Sequence, residues 1–165
     1  GSIDVKVLSL FYRVIRQGLS SGHSSVVWTI FRHSTSIFSL GLPGVNILIP
    51  VFTRELSHLF RPSKTQVPSD VQQKALQIVS SLICLPNHYP GLEFNETLGN
   101  ECIINSEQLR GKISSILLSA LNNKQINASN RIYIIFSMTV LICEDLTNKP
   151  RPDVIREFIN GILNC

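Results

Sequence analysis

The chain has 165 residues, with fifteen lysines and arginines against eleven acids, a formal charge of +4 and a pI near 9.0. Charged side chains make up only 16% and the mean hydropathy is +0.20, which excludes an intrinsically disordered chain, since disorder needs low hydrophobicity and high charge. So mild a positive charge also argues against a nucleic-acid-binding arm, and no nucleic acid is expected as a partner. Gly1-Ser2 reads as an expression scar, and residues 1–165 read as one helical domain belonging to a longer chain.

Val5, Leu8, Tyr12, Ile15 and Leu19 recur at three- and four-residue steps, which puts them on one face of a first helix. Gly18 weakens its end, and Ser20-Ser21-Gly22-His23 breaks it. A second helix is expected from about Ser24 to His33, capped by Ser24 or Ser25, with Val27, Ile30 and Phe31 inward. Gly41-Leu42-Pro43-Gly44 then resets the direction, and a third helix follows to about Phe60. Pro50 falls inside it. Its missing amide, and its ring against the carbonyl of Asn46, predict a kink over 46–50. Gly41, Pro43, Gly44 and Pro50 are therefore the structural residues of this reading.

The stretch 61–69 reads as a loop, and Ser69 as the N-cap of a fourth helix with Val71, Ala75, Ile78, Val79 and Leu82 on one stripe, ended by Pro86. Residues 86–105 read as a long irregular insertion, of the kind that marks a contact site or folds back on the core. A fifth helix begins near Ser106, with Leu109, Ile113, Ile116, Leu117 and Leu121 inward. The sixth, from about Ser129 to Leu146, is apolar nearly all round and should be the most buried element. A seventh starts after Pro150 or Pro152.

The odd helices are expected to start near residues 3, 44 and 106. With the irregular insertion set aside, their spacing approaches the 40–47-residue period of HEAT and armadillo pairs. The fold class is thus all-α, as stacked antiparallel helix pairs of that kind, with an irregular helical bundle as the alternative. Such arrays need polar caps at their ends. The first helix (Leu8, Phe11, Tyr12, Ile15) and the seventh are apolar enough to predict exposed apolar patches there, or self-association.

The cysteines at 84, 102, 143 and 165 form no metal or redox spacing. Cys84 and Cys143 sit in apolar runs and read as buried thiols. The twenty uncharged residues from Ser34 to Thr53 are long enough for a bilayer, but Gly41, Pro43, Gly44 and Pro50 interrupt them, so no transmembrane segment is expected. With no signal peptide in view, the expected address is the cytoplasm. No phosphate loop, nucleophile elbow or zinc motif occurs, and the histidines are scattered, so the reading is of a non-enzyme with no cofactor and no metal.

Charge is uneven. Through residue 65 there are seven cations against Asp4 and Glu55, whereas the rest of the chain is close to neutral. A basic half steers acidic partners or lies on anionic lipid. Arg13, Arg16, Trp28, Arg32 and Arg54 are accordingly the candidate partner-contact residues.

Three ordered blocks carry a resemblance: His33-Ser34 with Ser39-Leu40-Gly41-Leu42-Pro43-Gly44 and Leu48-Ile49; Ser81 through Asn87 (SLICLPN) with Tyr89; and Ile142-Cys143-Glu144-Asp145-Leu146. Together they resemble the non-catalytic helical region of the Ral GTPase-activating protein alpha subunits, large relatives of tuberin. The resemblance implies a cytosolic subunit that pairs with a beta subunit and accelerates GTP hydrolysis on Ral-type small GTPases. It also implies that a separate C-terminal α/β domain supplies the catalytic asparagine, and no asparagine of this chain matches that role. This segment would be a scaffold, with protein partners in the beta subunit and other parts of its own longer chain. The alternative is an independent helical-repeat adaptor that binds peptides or an anionic membrane surface.

Overall fold

The structure, a computed structural model, describes residues 4–83 and 106–148, together with Arg156 and Asn160. The insertion expected at 86–105, Pro86, the seventh helix, and Cys84, Cys102 and Cys165 lie outside the described residues. Among those described, six α-helices and no strand are present: α1 (Val5–Leu19), α2 (Ser24–His33), α3 (Ile49–Leu59), α4 (Ser69–Ile83), α5 (Ser106–Asn122) and α6 (Ala128–Asn148).

Each odd helix packs on the even helix that follows it. The odd helices α1, α3 and α5 also adjoin in order, as do the even helices α2, α4 and α6. The result is a two-layer arrangement of three successive pairs. The pairs are not copies: α2 has 10 residues, α4 15 and α6 21. The end of α2 meets the beginning of α4 through Arg32 and Asp70, so the first pair is set differently on the second than the second is on the third.

Local chemistry explains where the helices start. Asp4 caps α1 by accepting the amide of Lys6 at 2.8 Å. No serine caps α2: Ser24 is its first residue, and His23 precedes it with no side-chain cap. Ser69 likewise lies inside α4, where the carbonyl of Pro68 accepts the first helical bond, from the amide of Gln72. Asn127 takes the capping role for α6, its Oδ1 accepting the amide of Asn130 at 2.8 Å.

The third helix is shorter than the sequence predicts. Val45–Leu48 forms a 3-10 turn, and α3 begins at Ile49, which puts Pro50 in the first helical turn. There its missing amide costs nothing, because that donor has no intrahelical partner anyway. The Asn46 carbonyl instead accepts the amide of Ile49. Gly44 enters this turn with φ of +72°, a conformation that disfavours any side chain.

One hydrophobic core runs through all six helices and takes in Ile37 and Phe38 from the segment between α2 and the 3-10 turn. Phe52 is its aromatic centre, meeting Phe31 and Phe38 edge to face at 5.6 and 5.4 Å between ring centroids. Tyr12 is fully buried, and its hydroxyl donates to the carbonyl of Pro43 at 2.7 Å, tying α1 to the glycine-rich turn. Gly18 lies where α2 crosses α1; a Cβ there would collide with Cδ1 of Ile30.

Two expectations about burial are overturned. α6 is not the most buried element: Ile132 and Phe136 are 71% and 65% exposed, and Cys143 is exposed as well. The central helix is α4, which contacts α2, α3, α5 and α6 and buries Val71, Gln72, Ala75, Leu76, Ile78, Val79, Leu82 and Ile83. A sequence apolar on every side cannot say which side will be covered; that depends on how many neighbours the helix has.

The connectors between α3 and α4 and between α5 and α6 are laced together by side chains. Asn123, 3% exposed, donates through Nδ2 to the carbonyl of Phe60 at 3.0 Å. Gln125 donates to the Ser63 carbonyl and accepts the Ser63 amide. Gln72, buried in α4, donates to the carbonyls of Val67 and Gln125, while its Oε1 accepts from Asn130 at 3.1 Å. Removing a buried partner strands the other one, at about 1–3 kcal/mol. Asn123→Ala should therefore lower the urea midpoint by the equivalent of about 1–3 kcal/mol at an unchanged m-value. Asn127→Ala, an N-cap loss, should cost about 1 kcal/mol.

The Arg32–Asp70 pair, with Nε to Oδ2 at 2.6 Å, joins α2 to α4 on the exposed surface. The hydrogen bond from Arg32 holds the Asp70 carboxyl below its usual range. A depressed acid contributes stability that is present above its unfolded pKa and lost as pH falls through the folded value. Asp70→Asn should flatten the thermal midpoint against pH below the ordinary carboxylate range, and salt should shrink the difference, as for any exposed pair.

Candidate functional site

Of the candidate contact residues, two already have partners within the chain. Arg32 is bonded to Asp70, and Arg54 donates to Glu55 at 3.0 Å and to the hydroxyl of Ser20 at 2.9 Å. Trp28 is partly buried against the core, beside a groove of about 210 Å³ shared with Val27, Glu55, His58, Leu59 and Val67. Arg13 is exposed on α1 and Arg16 half-buried. Through Ser20, Arg54 reaches the end of the helix that carries Arg13 and Arg16. Gly41 and Gly44 adopt positive φ, Pro43 accepts from Tyr12, and Pro50 sits in the first turn of α3, so these four shape the turn that leads into α3.

The most pronounced surface feature is apolar. Val7, Leu10, Phe11 and Val14 on α1 are 62%, 60%, 45% and 58% exposed. Their spacing of i, i+3, i+4 and i+7 aligns them on one helical face. This face is separate from the buried one, which holds Leu8, Tyr12, Ile15 and Leu19. Of the four residues expected to need an external cover, Phe11 is exposed, whereas Leu8, Tyr12 and Ile15 lie on the side of α1 that α2, α3 and the 3-10 turn cover. Gly18 continues the exposed face one turn beyond Val14, and there Val26 of α2, 40% exposed, comes to 3.5 Å of the position a Cβ would take. A second apolar surface lies on α6 at Ile132 and Phe136, with the Tyr133 hydroxyl bonded to Ser80 of α4 at 2.8 Å.

A second feature is polar and lies between α3 and α5. A groove of about 300 Å³ is lined by Arg54, His58 and Arg61 from one side and Lys112 and Ser115 from the other. Sequence reasoning singled out Arg54 alone. The spacing of 54, 58 and 61 at i, i+4 and i+7 was a readable signal; the approach of Lys112, about fifty residues away in the chain, was not.

Among the described residues no set of His, Cys, Asp and Glu side chains is placed to hold a metal ion. No helix among them is long and apolar enough to cross a membrane. The arrangement offers surfaces for binding.

No family model matches the chain, and no solved structure matches it. Long curated proteins do. A Rap-GAP domain-containing protein from Dictyostelium discoideum is 30% identical over 187 aligned positions, covering 95% of this chain and 11% of its own length. Ral GTPase-activating protein subunit alpha-2 from Mus musculus is 28% identical over 155 residues, covering 92% of this chain and 8% of its own. Subunit alpha-1 from Homo sapiens is 27% identical over 157 residues, covering 94% and 8%. The chain thus spans between 8% and 11% of the length of these relatives. Because the likeness runs through nearly all of this chain in several such proteins, the chain belongs to the family of the Ral GTPase-activating protein alpha subunits, as the relative of one segment of them.

Proposed function

We propose that this chain is a non-catalytic scaffold segment of a GTPase-activating protein complex that acts on Ral-type small GTPases in the cytoplasm. The GTPase would be met by a separate catalytic domain, and the segment would hold that domain together with a beta subunit. The relatives carry the words GTPase-activating or Rap-GAP in their names, which supports the assembly. The observation that carries the scaffold role is the exposed apolar stripe of α1, a face of Val7, Leu10, Phe11 and Val14 on a helix whose other side is already committed to the core. Exposed apolar faces of this kind mark protein contacts.

The occupant we assign to the stripe is an amphipathic helix of another protein segment. Lys6 and Arg13 stand seven residues apart along one edge of the stripe. An antiparallel second copy would bring those two cations against their own counterparts, whereas a helix with acids on that edge would pair with them. Self-association is therefore the poorer use of this surface.

Stimulation of GTP hydrolysis usually requires a charge or a water-orienting group placed against the γ-phosphate, an arginine finger giving ~10³–10⁵ in rate. Saturating amounts of this chain should leave single-turnover hydrolysis by a Ral-type GTPase unchanged. A stimulation above about tenfold, abolished by substituting one arginine, would place catalysis in this chain and overturn the reading. Leu10→Ser with Val14→Ser alters two exposed side chains, so the thermal midpoint should hold. Association with a co-expressed beta subunit or catalytic segment should weaken by about tenfold or more, because each burial is worth about 1.5–3 kcal/mol.

A further inference from the structure

The groove between α3 and α5 concentrates positive charge. Arg54, His58 and Arg61 follow one another at i, i+4 and i+7, a line about 10 Å long that runs off the end of α3. Lys112 and Ser115 face them from α5, and Thr53, Ser57, Pro50 and Ile116 complete the walls. Among the described residues, none that lines the groove is an acid. Arg54 has its own partner in Glu55, but no described carboxylate pairs with His58, Arg61 or Lys112. Arg54, Arg61 and Lys112 thus place like charge around one groove, the last of them from a neighbouring helix. Folding alone gains nothing from that arrangement, whereas an anion in the groove would turn the repulsion into attraction.

The surroundings bear on what kind of anion it is. The large apolar side chains that the structure exposes are on α1, α2, α6 and Leu40, with none on α3 or α5. Among the described residues, the rim of the groove thus offers none of the large exposed apolar groups that insert beside a charged face at a lipid surface. Two guanidinium groups about two helical turns apart, with the His58 ring between them and Lys112 opposite, instead suit carboxylates spaced along a polypeptide, and the guanidinium fork of Arg61 matches a carboxylate in two-pronged fashion. We propose that the α3–α5 groove binds an acidic segment of a partner protein, with Arg61, Lys112 and His58 as the principal contacts. The inference does not depend on the GTPase-activating assembly, since the groove and its charge belong to this chain in any setting.

Fluorescence anisotropy with a dye-labelled peptide of alternating glutamate and alanine tests it on the intact chain. Binding should be measurable at low salt and fall as salt rises. Arg61→Gln with Lys112→Gln changes two exposed residues and should lower the affinity about tenfold or more, at an unaltered thermal midpoint. Lys74→Gln with Lys124→Gln, outside the groove and away from α1, removes the same charge elsewhere and should change the affinity by no more than about twofold. Equal losses in both double variants would reduce the effect to net charge and overturn the proposal. So would absence of peptide binding, with vesicles of phosphatidylcholine and one-quarter phosphatidylserine captured through Arg61 and Lys112 instead.

Discussion

The buried amides of Gln72, Asn123 and Asn130 impose the constraint on which the rest of the packing depends. Each is almost fully removed from water, and each is hydrogen-bonded to the backbone or side chains of a connector or helix start other than its own. Apolar contacts would tolerate a small slide of α5 and α6 along α3 and α4. These bonds do not, because a displaced amide would leave both itself and a carbonyl unpaired at low dielectric. No buried side-chain nitrogen or oxygen is left without a partner among the described residues. The second and third helix pairs are thereby held in a single register.

The first pair is joined to the others differently. Its links include the aromatic contacts of Phe52 with Phe31 and Phe38, the bond from Tyr12 to Pro43, the bond from Arg54 to Ser20, and the exposed Arg32–Asp70 pair. Since α1 has neighbours on one side, its second apolar face remains at the surface, and the close approach of α2 at Gly18 extends that face by Val26. The α3–α5 groove arises in the same way. Parallel alignment of two odd helices, fixed at their ends by Asn123 and Phe60, brings Lys112 opposite the line of cations on α3.

Both surfaces suit a protein that works by being held against others. One offers apolar area edged by Lys6 and Arg13, the other a groove lined by Arg54, His58, Arg61 and Lys112. They lie on different helices, so an apolar partner and an acidic partner could be engaged together. This is consistent with a segment that occupies a small fraction of a long protein and contributes contacts to it.

The helices themselves were legible from residue spacing. Five of the six α-helices lie within a few residues of where periodicity puts them, and every residue of the apolar stripes expected on α4 and α5 is buried, joined by Gln72, Leu76 and Ile83 on α4 and by Ser114 and Ala120 on α5. The spacing puts Pro50 at a kink within a helix, whereas it sits where one begins; both follow from its missing amide, and only the neighbouring turn selects between them. Periodicity also contained the doubled apolar face of α1 and the 54–58–61 row, because both depend on positions within a single helix. What it could not contain was which face would be covered. The exposure of Ile132, Phe136 and Cys143, the burial of Ile37 and Phe38, and the meeting of Lys112 with Arg61 were decided by which helices became neighbours. Helical spacing is a property of a few consecutive residues, whereas burial and charge convergence belong to pairs of elements far apart in the chain, and only the packed tertiary structure brings those together.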